Sequence, residues 1–187
     1  VDQFEVTLAG FGGQGIMTAG QLLAYSGMRA GKQVVWIPSY GPEMRGGTAY
    51  CTVVISDVRI GSPIINSPRG LCVFNRPSFD KFEPRLRPGG LLVVNSSLIT
   101  ATTQRTDITQ LLVPANEMAL KIGNPKTANV VVLGAFIGAT GLVDYETVKK
   151  TVAEKMGYKK ELLDINMEAL QQGHDLAVSL MGQKEKV

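Results

Sequence analysis

The stretch best suited to chemistry lies near the start of the chain, Ala9-Gly10-Phe11-Gly12-Gly13-Gln14-Gly15. That chemistry is anion binding. Glycines leave backbone N–H groups bare, and a helix beginning just behind them adds the positive end of its dipole. Gly10-x-Gly12-x-x-Gly15 also fits the dinucleotide-binding fingerprint letter for letter, a pattern of low specificity by itself. Gly12, Gly13, Gln14 and Gly15 are therefore the candidate phosphate-binding residues. The plainer alternative is a tight turn that packs a helix on a strand.

A second stretch, Pro38-Ser39-Tyr40-Gly41-Pro42-Glu43-Met44-Arg45-Gly46-Gly47, is a loop punctuated by two prolines and three glycines. Arg45 supplies a cation that could join the glycine loop on a phosphate. Tyr40, Gly41, Pro42, Glu43 and Met44 read as a contact surface, because three of them are apolar or amphipathic in a loop. An ordinary solvated loop is the alternative. A nicotinamide site needs an Asp or Glu at the end of the second strand to hold the ribose hydroxyls. Here that position reads Pro38-Ser39-Tyr40, with no acid before Glu43, which argues against NAD, and Arg45 lies too deep in the loop to suggest NADP.

No other chemistry assembles. His174 is the only histidine and sits mid-helix beside Asp175, where an exposed or partner-facing ring is the expectation. The two cysteines, Cys51 and Cys72, form no C-x-x-C pair, so the chain cannot by itself ligate an iron–sulfur cluster or build a structural zinc site; buried, reduced thiols of a cytoplasmic protein are expected. No Walker lysine, H-x-x-x-H or D-x-D pattern is present, so neither catalytic nor metal-binding residues are assigned. A net charge of +3 without a basic run gives no support to nucleic-acid binding. No apolar stretch nears the roughly 20 residues that span a bilayer, and no signal-peptide pattern is visible.

The elements that must hold the glycine loop follow from periodicity. Phe4–Leu8 alternates as a half-buried strand broken by Gly10, and Gln14–Ala30 has helical spacing, with Gly31 as its stop. Further strands are expected at 33–37, 48–56, 71–74, 91–95 and 110–113, with a short edge strand at Val58–Ile60. Ser78 is the expected cap of a short helix carrying Phe79, Phe82 and Leu86. Asn129–Thr140 is apolar nearly all round and reads as a buried helix capped by Thr127, with Gly134 and Gly138 permitting close packing. Asp144 caps the next helix, and a last one runs from about Lys160 to Met181, interrupted by Asn166 and Gly173. The pattern predicts one domain over 1–187, a strand-rich core over 1–114 and a helical portion over 115–187. Its fold class is three-layer α/β/α with a mostly parallel, Rossmann-like sheet. Ligands bind such sheets beyond the carboxyl ends of the strands, where loops 10–15 and 38–47 should both emerge.

Taken together, Gly10–Ile16 and Pro38–Thr48 resemble the gamma subunit of 2-oxoacid:ferredoxin oxidoreductases. Ile60-Gly61-Ser62-Pro63, Lys81-Phe82-Glu83-Pro84, Pro88-Gly89-Gly90, Gly123-Asn124-Pro125 and Asn129–Phe136 extend the resemblance over most of residues 4–181. The Glu43-Met44-Arg45-Gly46-Gly47 form looks most like the 2-oxoglutarate branch. The resemblance implies a complex that oxidatively decarboxylates a 2-oxoacid to an acyl-CoA and reduces ferredoxin. Thiamine diphosphate, magnesium and iron–sulfur clusters are then expected in partner subunits, thiamine-binding alpha and beta and cluster-bearing delta. For this chain it implies an accessory domain that packs on the thiamine-binding subunits and helps receive coenzyme A. A stand-alone Rossmann-like nucleotide- or flavin-binding oxidoreductase is the alternative from another class, and a purely structural subunit without its own ligand is a third.

Overall fold

The computed structural model describes residues 2–39, 48–62 and 64–184. A six-stranded sheet is built from β1 (Phe4–Phe11), β2 (Gln33–Ser39), β3 (Thr48–Ser56), β4 (Gly70–Val73), β5 (Leu91–Asn95) and β6 (Thr109–Val113), in the order β2-β3-β1-β4-β5-β6. β1, β4, β5 and β6 pair in parallel, while β3 runs antiparallel to both of its neighbours. Five strands thus point one way and β3 alone returns. The mostly parallel sheet expected from the sequence is present, with one reversed strand inserted beside β1. Gly10 does not end β1: the ladder continues through Gly10↔Ala49 and Phe11↔Thr48.

Among the described residues six α-helices accompany the sheet: α1 (Ile16–Arg29), α2 (Arg76–Phe82), α3 (Ala115–Ile122), α4 (Ala128–Thr140), α5 (Tyr145–Met156) and α6 (Lys160–Lys184). Alternation along each strand divides the core in two. Val6, Leu8, Cys51, Val53, Cys72, Val93 and Leu111 face the larger half, filled by α1 and the helices of the C-terminal third. Ala9, Leu71, Val73, Leu92 and Val94 face the smaller half, where Phe79, Phe82 and Leu86 cover them. The three layers are therefore uneven, with most helices on one side.

α4 is the central pillar of the thick layer. Its residues from Asn129 to Ile137 are all buried, as a helix apolar all round requires. The Gly134 and Gly138 spacing does what the sequence suggests: a Cβ on Gly134 would stand 2.2 Å from the Leu170 carbonyl oxygen, and one on Gly138 2.5 Å from that of His174. Gly173 answers from α6, where a Cβ would meet the Val131 carbonyl oxygen at 2.0 Å. Gly173 and Asn166 do not interrupt α6; the first is the contact itself, and the second turns its amide to the Leu162 carbonyl at 2.8 Å.

Local details correct the sequence reading. Asn75, not Ser78, caps α2: its Oδ1 accepts from the Ser78 backbone N–H at 2.9 Å, and Ser78 is the third helical residue. Thr127 stands at the cap position of α4, but its hydroxyl donates to the Asn124 carbonyl instead of receiving an amide. Val58–Ile60 forms no strand; the ladder ends at Ser56, whose hydroxyl accepts from the Val58 amide. Asp144 does cap α5, accepting from the Thr147 amide at 3.1 Å.

Candidate functional site

The glycine loop is held from within and from two neighbouring elements. Gln14 is its internal brace: its Oε1 accepts from the Phe11 amide at 2.7 Å, and its own amide donates to the Phe11 carbonyl at 3.2 Å. Its Nε2 donates across to the Phe74 carbonyl at the end of β4, 3.2 Å away. Asn129 of α4 reaches the far side, donating from Nδ2 to the Gly15 carbonyl at 3.1 Å. Two glycines are needed here for their conformation: Gly13 and Gly15 sit at φ 92° and 76°, where a side chain is strained. Gln14, proposed above as a phosphate ligand, thus has its side chain and amide committed to the loop. Gly12 and Gly13 are exposed, and among the described residues nothing accepts from the amides of Gly13 and Gly15.

Two hollows flank the loop at the carboxyl edge of the sheet. One, of about 290 Å³, lies between Gly12, Gly13 and the first turn of α1. The other, of about 200 Å³, is bounded by Gly13, Gln14, Asn95, Asn116, Lys126 and Ala128. It marks the crevice where connections leave the sheet in opposite directions, β3 on one side of β1 and β4 on the other. Asn95 at the end of β5 donates from Nδ2 to Asn116 Oδ1 at 2.7 Å, leaving its own Oδ1 buried and without a partner. α1 and α4 both start at this edge, and neither carries an acidic residue in its first turn. Two positive helix ends and open amides, with Lys126 in the lining of one hollow, have the chemistry to hold an anion.

Asn95, Asn116 and Lys126 were not singled out from the sequence. The position of Asn95 at the carboxyl end of a buried strand was the available signal. Tyr40, Gly41, Pro42, Glu43, Met44 and Arg45 lie outside the described residues. β2 ends at Ser39 and β3 begins at Thr48, whose partner is Phe11, so both lie at the carboxyl edge on one side of β1, as expected. The insertion of β3 bears on the dinucleotide reading. A ribose-binding acid belongs on the strand next to β1, but β2 is two strand spacings away, roughly 10 Å. Position and residue type both fail, which removes that reading.

The remaining candidates are inert. Cys51 and Cys72 are free and buried. Burial pushes the Cys51 thiol up to about 12, against a small lowering by Trp36, and burial raises Cys72 as well. His174 lies on α6 against α5, its ring 4.1 Å from that of Tyr145 and its Nδ1 3.4 Å from Asp175 Oδ1. It borders neither hollow.

Fold and loop define an α/β protein of the Rossmann-like class whose glycine loop lies at the carboxyl edge of the sheet without a dinucleotide's ribose clamp. The chain belongs to the pyruvate ferredoxin/flavodoxin oxidoreductase family, whose model matches residues 5–176. It is 38% identical over 177 residues to the ketoisovalerate oxidoreductase subunit VorA of Methanothermobacter thermautotrophicus, covering 94% of this chain and 36% of VorA. It is 34% identical over 179 residues to the 2-oxoglutarate synthase subunit KorC of Methanocaldococcus jannaschii, covering 94% and 95%. The crystal structure of a keto/oxoacid ferredoxin oxidoreductase gamma subunit from Geobacter sulfurreducens superposes with a TM-score of 0.81 at 31% identity, covering 94% of this chain and 99% of that one. The chain thus spans about a third of VorA and nearly the full length of the separate subunits.

Proposed function

We propose that this chain is the gamma, accessory subunit of a 2-oxoacid:ferredoxin oxidoreductase and that its carboxyl edge receives the phosphates of coenzyme A. The observation that carries the ligand part is the pair of hollows at that edge, which Gly13 joins: the start of α1 borders one, and Lys126 with the start of α4 borders the other. Backbone amides and a lysine are donors suited to a phosphate, and among the described residues no carboxylate lines the hollow. Coenzyme A supplies the thiol that accepts the acyl group. The chain's part is to bind the nucleotide end through Gly12, Gly13, Gly15 and Arg45, so that the thiol end points toward the neighbouring thiamine-binding subunit. Tyr40, Gly41, Pro42, Glu43 and Met44 would line that contact. Thiamine diphosphate, magnesium and iron–sulfur clusters belong to alpha, beta and delta partners, and ferredoxin is met through them.

The 2-oxoacid proposed is 2-oxoglutarate. Relatives named for ketoisovalerate and for 2-oxoglutarate resemble the chain at 38% and 34% identity, so this choice rests on Glu43-Met44-Arg45-Gly46-Gly47 alone. The test uses the complex captured from native cells on this chain. Steady-state oxidation of 2-oxoglutarate should exceed that of ketoisovalerate, and the reverse order would move the chain to the other branch. In the same complex, Gly13→Val with Arg45→Ala should weaken coenzyme A binding by about tenfold or more. Unchanged affinity would leave a structural subunit with no ligand of its own. Recovery of the chain only as a monomer or homodimer would end the subunit reading.

A further inference from the structure

The opposite, amino edge of the sheet holds a hollow of about 460 Å³, within the range of small-molecule sites. Two arginines form its rim, Arg69 just before β4 and Arg87 just before the Pro88-Gly89-Gly90 turn into β5. Phe4, Leu91, Ala139 and Met181 supply an apolar wall. The segments that carry the arginines are locked together. Leu91 donates to the Arg69 carbonyl and Arg87 to the Pro68 carbonyl, and Gly90 lies so close that a Cβ would stand 2.7 Å from the Arg87 carbonyl oxygen and 2.9 Å from that of Arg69.

Charge at this edge is not balanced. Among the described residues Glu5, only 4% exposed, is the one carboxylate paired with the two guanidinium groups, with its Oε2 3.8 Å from Arg69 Nε and 3.9 Å from Arg87 Nη2. Those separations orient the arginines without hydrogen-bonding them: Glu5 Oε2 and Arg69 Nε are both buried and without a hydrogen-bond partner. The nearby Asp107 is spent on Arg105, which it grips through both carboxylate oxygens. One buried negative charge therefore holds two cations in place. Both arginines line a hollow with an apolar wall.

We propose that this edge is a second binding site, for a small organic anion: a carboxylate or phosphate head taken by Arg69 and Arg87, with an apolar body against Phe4, Leu91 and Met181. β1 runs eight residues between the two edges, about 25 Å, so the ligand is distinct from anything at the glycine loop. The inference is independent of the coenzyme A reading.

Calorimetric titration of the chain with hexanoate, hexyl phosphate, hexanol and inorganic phosphate tests it. One or both of the alkyl anions should bind, at least about tenfold tighter than hexanol and than inorganic phosphate. The preferred head identifies the ligand as carboxylate or phosphate. Arg69→Met with Arg87→Met should abolish the tighter binding of the alkyl anions. Glu5→Gln provides a test with opposite sign that does not depend on the arginine variant folding: removing the competing charge should tighten alkyl-anion binding. A purely structural ion triad predicts no heat, with any probe up to about 10 mM, that Arg69→Met with Arg87→Met removes. That result would overturn the proposal, as would binding of hexanol as tight as hexanoate, or weaker binding in Glu5→Gln.

Discussion

Glycine serves opposite purposes at the α4–α6 contact and in the loop at the carboxyl edge. Between the helices, Cβ atoms on Gly134, Gly138 and Gly173 would meet backbone oxygens at 2.0–2.5 Å. In the loop, a Cβ on Gly13 would meet nothing within 4 Å, and its φ of 92° is what calls for glycine. The helix contact excludes everything and the loop leaves its amides open. One residue type thus marks a closed region that holds the fold and an open one that can hold a ligand. Substitution by alanine should separate the two.

Gly173→Ala should have the largest effect. The methyl group would sit 2.0 Å from the Val131 carbonyl oxygen, backbone that can yield only if α4 and α6 move apart. Overpacking against fixed backbone should cost about 3 kcal/mol, near the upper end for such changes, and lower Tm by roughly 10 °C in a chain of this size. Thermal unfolding followed by circular dichroism reads this directly. A shift below about 2 °C would mean the two helices are not locked as described.

A second, smaller effect tests closure on the α1 side, where Cys51 lies beneath the helix. A Cβ on Gly20 would stand 2.4 Å from its sulfur. The thiol is raised by burial from 9.0 to about 12 in the folded chain. A raised folded pKa gives stability that is whole below the unfolded value and is lost as pH climbs toward the folded one, so the loss runs from pH 9.0 to about 12. At about 1.4 kcal/mol per pH unit, wild type should lose about 2 kcal/mol more than Cys51→Ala between about pH 9 and 10.5. Urea unfolding at the two pH values measures the difference. Parallel losses would show that water reaches the thiol in the native state.

The closed region was far more legible in the sequence than the open one, because its signals are local. Uniform apolarity from Asn129 to Phe136 and the four-residue spacing of Gly134 and Gly138 already describe a buried helix against a close neighbour. Asp144 three residues before Thr147 gives the α5 cap. The strand-glycine-helix order of the loop was equally plain. Pairing direction was not: Thr48–Ser56 alternates the same way in a parallel or antiparallel ladder, so nothing local places β3 between β1 and β2. Asn75 and Ser78 are both good capping residues three apart, and Pro77 at the start of α2 decides for Asn75. The crevice is assembled from β5, α3 and the turn before α4, and Asn95, Asn116 and Lys126 share no spacing that would join them.

Gly13→Ala should have the smallest effect on stability, and it sharpens the contrast most. Its methyl group finds open space, so the only cost to the fold is the positive φ, about 1 kcal/mol or a Tm lower by roughly 2–4 °C. The same methyl group would stand at the mouth of both hollows, which Gly13 lines. A phosphate held by backbone amides needs close approach, so coenzyme A affinity in the assembled complex should fall by about tenfold. Gly173→Ala should do the reverse, costing stability while leaving the affinity of the folded complex intact. Equal stability losses in the two variants would dissolve the division between closed and open glycines. Full coenzyme A affinity in a well-folded Gly13→Ala complex would keep the division but remove the ligand from the loop.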